Sequence, residues 1–151
     1  MSDCVWEGLG LLPREAEQNV RLTTYHRWFG KDSWGRRPSY LYFKTSAQRC
    51  STFMRFKLGS HDLGIELGRW KHRVPRFERV CRRCDMHELD DERHMIFDCP
   101  VFEHLRRAHR HLFGRDVDLS MRNFFAHRDQ HAVMSYMLDC LHYIRDHWPE
   151  T

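Results

Sequence analysis

The sequence predicts a mainly α chain, a small helical domain carrying one loop rich in cysteine and histidine. Three observations lead there. Apolar residues recur at helical spacing near the C-terminus, where Val133, Met137, Leu141, Ile144 and Trp148 fall on one stripe. Residues suited to helix starts (Pro13, Ser46, Pro100) and stops (Gly30, Gly59) punctuate the rest. Between them, VCRRCDMHELDDERHMIFDCP, residues 80–100, crowds three of the six cysteines and two of the twelve histidines into one short stretch.

Taken in order, residues 13–29 predict a helix, with Glu15 and Glu17 near its positive end and Gly30 as its stop. GKDSWGRRPS is a polar loop. Residues 46–58 predict a second helix capped by Ser46, with Phe53, Phe56 and Leu58 as core. Residues 59–80, with three glycines and one proline, read as irregular. Residues 100–113 predict a helix whose inner face is Val101, Leu105, Ala108 and Leu112. A short helix follows Ser120, and the last starts near Asp129. Its stripe is read as core rather than as a groove for a partner. The expected organisation is an N-terminal helical segment (1–45), a central module (46–113) and C-terminal helices packing on it (114–151), together one domain.

A chain of 151 residues with 41% hydrophobic and 30% charged residues has globular composition and room for a modest core. No stretch approaches the ~20 apolar residues of a membrane span. No secretory signal is visible, so the expected setting is intracellular, nuclear or cytoplasmic, and no membrane partner is expected. In a reducing compartment, clustered cysteines more often bind metal than pair. Cys4, Cys50 and Cys140 lie far apart and read as buried or free thiols.

The clustered residues follow the pattern Cys81-x2-Cys84-x9-His94-x4-Cys99. A C-x2-C turn brings two thiolates onto one cation, and a third sulfur with one imidazole completes a tetrahedral Cys3His set that suits Zn2+. The loop is then zinc knuckle-like. His87 is a rival to His94, but only two residues separate it from Cys84, inside the loop between the half-sites, where a closed ring would be strained. His104, His109 and His111 are further candidates. The set leaves no open position, so the expected role of zinc is to fold a loop-rich region, not to activate water. Glu88, Asp90, Asp91 and Glu92 read as a solvated loop pairing with Arg82, Arg83 and Arg93.

RFKLGSHDLGIELGRW, with Gly59, His61, Leu63, Gly68 and Arg69, is followed by RVCRRC and DDERHMIFDCPVFEHLR. In this order the motifs resemble the C-terminal zinc-binding segment of reverse transcriptases from non-LTR (LINE-type) retrotransposons, over about residues 21–145. The resemblance implies that Cys81, Cys84, His94 and Cys99 hold zinc and that the segment helps a polymerase hold nucleic acid. No YADD-like aspartate pair accompanies it, and Asp116 and Asp118 lack the lysine a nuclease cluster would need. The chain is therefore expected to be a detached, non-catalytic tail.

Charge bears on the partner. Between residues 55 and 83, nine cations face three anions, a local +6; between 85 and 103, seven anions face Arg93 alone, or −6. Arg69, Trp70, Lys71, Arg73, Arg76 and Arg79 are the candidate nucleic-acid contacts, with Phe77 interleaved. Arginine suits phosphate and an aromatic ring suits an unpaired base. The expected partner is RNA or single-stranded DNA, bound weakly and without sequence choice, with a reverse transcriptase chain as a further partner. The alternative is a structural or protein-interaction zinc module in which the two charged segments neutralise each other.

Overall fold

The computed structural model describes residues 44–114 and 120–149. The predicted helix at 13–29, the loop after it, Cys4, Asp116 and Asp118 lie outside these residues. The described part is mainly helical, with no strand and one isolated antiparallel bridge, Val80 to Leu89.

Helix α1, Ala47–Lys57, begins as predicted, because Ser46 Oγ accepts from Arg49 N at 3.3 Å. It ends at Gly59, whose φ of 61° needs no Cβ. Phe53 and Phe56 are fully buried, but Leu58 is only partly so. The buried place on that turn belongs to Lys57, whose pKa burial holds down at about 8.

Residues 59–80 are not irregular. They contain α2, Gly64–Trp70, and a 3-10 turn, Arg76–Glu78. The glycines that suggested a loop instead admit close approach. A Cβ on Gly64 would lie 2.9 Å from Asp90 Oδ2, and one on Gly68 would lie 2.6 Å from Arg79 Cγ.

The helix predicted over 100–113 is broken into a 3-10 turn at Pro100–Phe102, helix α3 at Glu103–Ala108, and a 3-10 turn at Arg110–Leu112. The interruptions rotate the inner face. Phe102 and Leu112 are buried, whereas Ala108 is exposed.

Helix α4, Met121–Phe125, is capped by Ser120, and α5, Gln130–His147, by Asp129, whose carboxylate accepts from Ala132 N at 3.0 Å. The predicted stripe of α5 is core: Val133, Met137 and Ile144 are buried together with Met134, Tyr136 and Cys140, while Leu141 and Trp148 are half-buried. Helix α1 packs along α5. One hydrophobic cluster joins Phe53 and Phe56 to Met95, Ile96 and Phe102 and to the buried face of α5. Tyr136 closes it by donating to Ile96 O at 2.9 Å. Cys50 and Cys140 are buried, and burial pushes the Cys140 thiol up to about 12. Among the described residues, no helix is long and apolar enough to cross a membrane.

Candidate metal centre

Two local structures bring the cysteines and the histidine together. In the first, the Val80–Leu89 bridge closes a loop, and Cys81 N donates to Glu88 O at 2.8 Å. Cys81 lies on the outgoing limb and Cys84 next to the turn at residues 85–86. His87 follows that turn on the returning limb, exposed, with φ 54°. In the second, His94–Asp98 form a single π turn, and Cys99 N donates to His94 O at 2.7 Å. This bond spans five residues. An α turn would return residue i+4 over residue i, whereas the wider π turn returns i+5. The x4 spacing between His94 and Cys99 is thereby converted into adjacency.

The result is a group of four ligand atoms, one each from Cys81, Cys84, His94 and Cys99, all within 4.8 Å of one another. The group can hold a metal ion. A tetrahedral zinc at ~2.3 Å from sulfur and ~2.0 Å from nitrogen would set S···N at about 3.5 Å. His94 Nε2 lies 3.3 Å from Cys84 Sγ. His87, the rival ligand, is not in the group, and neither are His104, His109 and His111. His109 and His111 instead face Asp139 and Asp129.

The electrostatics divide the four ligands. The hydrogen bond from Cys99, helped by His94 and the nearby Arg83, holds the Cys81 thiol far below the usual thiol range against the cost of burial. Cys99 is pushed the other way, first by its bond to Cys81 and then by burial. Burial alone would push His94 down, but its hydrogen bond and charge interaction with Cys81 outweigh this and raise it. Three groups thus compete for protons that one divalent cation would displace.

The acidic run is not a solvated loop. Asp90 and Glu92 are buried, Asp91 is half-buried, and Glu88 is exposed. Asp90 pairs with buried Arg83 and accepts from Gly64 N at 2.7 Å. Asp91 Oδ1 accepts from His94 N at 2.9 Å. Glu92 Oε1 meets His61 Nε2 at 2.8 Å. Of the three arginines expected to neutralise this run, Arg83 does so. Arg93 reaches Asp98 at 3.6 Å instead, and Arg82 is exposed. Burial raises the pKa of Asp90 and Asp91, opposed by Arg83 and by the His94 N–H respectively.

The six candidate nucleic-acid contacts divide. Trp70 is 57% exposed and Phe77 beside them 74%, and Lys71, Arg73 and Arg76 are exposed. Arg69 pairs with Glu66 at 2.5 Å. Arg79 turns inward, donating to Val74 O at 3.0 and 2.8 Å and to Ile65 O at 3.0 Å. His61, Arg83 and Glu92 were not read from the sequence as parts of the centre. Spacing carries no signal for contacts between residues 31 positions apart, as His61 and Glu92 are.

No protein-family model, curated protein or solved structure matches the chain.

Proposed function

We propose that the chain is a zinc-stabilised, non-catalytic accessory module that contacts single-stranded nucleic acid, like the C-terminal zinc-binding segment of a non-LTR retrotransposon reverse transcriptase. The observation that carries the zinc part is the convergence of Cys81, Cys84, His94 and Cys99. Zinc there would neutralise the thiolates and fasten the loop to the π turn. With all four positions taken by protein ligands, the centre is a staple rather than a catalyst.

The nucleic-acid part is supported by the largely exposed segment that runs from the end of α2 through the following turn. It presents Trp70 and Phe77 for stacking and Lys71, Arg73 and Arg76 for phosphate. Arg69 and Arg79 are engaged within the fold, so they are left out of this surface.

The same engagement of Arg69 and Arg79 favours a second reading, a zinc module whose exposed Trp70 and Phe77 meet another protein. Fluorescence anisotropy with single-stranded RNA and DNA across a salt series separates the two. The first reading expects weak binding that falls steeply with salt for any sequence. No binding at low salt leaves the second.

A further inference from the structure

His94 is held unusually for a metal ligand. A ligating imidazole ordinarily donates its second ring N–H to a carboxylate or carbonyl, which fixes the ring. His94 Nδ1 is buried with no hydrogen-bond partner. Its ring orientation must therefore come from the backbone turn that carries it.

That turn is pinned from outside. Asp90 O accepts from Ile65 N at 2.9 Å, and Asp90 N donates to Arg79 O at 2.8 Å. Asp91 caps His94 N. Two residues before His94, the Glu92 side chain meets His61, which stacks on Phe56 of α1 with ring centroids 4.8 Å apart. The His61 tautomer is fixed. Leu63 N donates to Nδ1 at 3.3 Å, so the proton sits on Nε2 and is donated to Glu92 Oε1. Both side chains are almost completely buried.

We infer that His61 and Glu92 are positioning residues of the metal centre: their buried hydrogen bond holds the turn that aims His94, and so sets how slowly the centre gives up its metal. This rests on the reading of the centre as a zinc site. Glu92 is the more informative residue to change. Glu92→Gln keeps an acceptor oxygen at the same reach and loses the charge. Glu92→Asp keeps the charge and loses one methylene of reach.

The test is zinc transfer from the full-length, zinc-loaded chain to an excess of a chromogenic chelator, with visible spectra of the Co(II)-loaded chain beside it. Loss of a direct hydrogen-bond partner of a ligand typically costs 10–100-fold in affinity, and Glu92 acts one step further out, through the turn, so the low end of that range is expected. Glu92→Asp is therefore expected to release zinc roughly tenfold faster with altered Co(II) bands, and Glu92→Gln to behave as the parent. Val133→Ala, a cavity in the core of α5, controls for general loosening and is expected to melt earlier with an unchanged release rate. Should Glu92→Asp fail to fold, Glu92→Gln still decides, since fast release by it means that charge and not the hydrogen bond matters. Equal rates for the parent and Glu92→Asp, or equally fast release by Val133→Ala, would overturn the inference alone. A parent chain that takes up no zinc would instead refute the metal reading beneath it.

Discussion

Arg79 lies across Gly68, with its Cγ and Cδ occupying the space that a side chain on Gly68 would need. Its guanidinium spans the carbonyls of Ile65 and Val74 and so ties α2 to the chain that enters the metal loop. An arginine that sequence alone offers to phosphate is thereby committed to the fold.

Gly68→Ala is expected to destabilise the chain by about 1–3 kcal/mol, as overpacking does, despite a helix-propensity gain of about 1 kcal/mol. In an Arg79→Ala background the penalty should vanish, because the clashing stem is gone. Urea denaturation of the four proteins of this double-mutant cycle measures the coupling. Strict additivity would show that the two residues do not meet.

Removal of the metal should unfold more than the loop. The cluster that contains Cys81 and Cys99 also contains Phe53, Met95, Phe102 and the buried face of α5. Structural zinc supplies ~10–16 kcal/mol in small zinc-finger peptides. Chelation, or Cys84→Ser, is expected to cost most of the helical circular-dichroism signal and the cooperative melt, and zinc but not magnesium should restore the signal to the chelated parent. A chelated chain with an unchanged melt would mean that the four residues only neighbour one another.

Lys57 gives the pH dependence. Its folded pKa is about 8 against an ordinary 10.5, with burial as the cause. Between those values the unfolded chain binds more protons than the folded one, so this residue's contribution to stability rises with pH across that window. Lys57→Met removes the contribution. The difference in stability between variant and parent should shrink from pH 7.5 to pH 10, by on the order of 1 kcal/mol. A difference that stays constant over the range would show that Lys57 is not held in its neutral-favouring site.

The exposed face gives a prediction about salt. Each phosphate contact on a single strand contributes a slope of roughly −0.7 in log K against log salt. Arg73→Ala with Arg76→Ala should flatten the slope by about 1.4 and leave zinc content unchanged. Trp70→Ala should weaken binding at every salt concentration, by about 1–3 kcal/mol if a base stacks there. Arg79→Ala, by contrast, should act on stability. Binding that does not move with salt would reject the electrostatic contact.

What the sequence made legible was local. The caps at Ser46 and Ser120, the start of α5 at Asp129 and the four-residue metal pattern each depend on side chains a few positions apart, and each is present in the structure. What it hid was tertiary. Gly64 and Gly68 read as loop residues, but they are small because Asp90 and Arg79 press on α2. The acids at 90–92 read as solvated because they are charged, yet Arg83, His61 and backbone N–H groups satisfy them inside the fold. The inner face after Pro100 departs from a continuous α period because the backbone changes to 3-10 geometry at both ends.

The central claim is a resident zinc on Cys81, Cys84, His94 and Cys99, and native mass spectrometry of the chain tests it most directly. One zinc per chain is expected, with its mass lost on chelation and with Cys81, Cys84 and Cys99 protected from alkylation at neutral pH until the metal is removed. A folded chain that carries no metal after expression in zinc-replete medium, with those three thiols reacting freely, would contradict it.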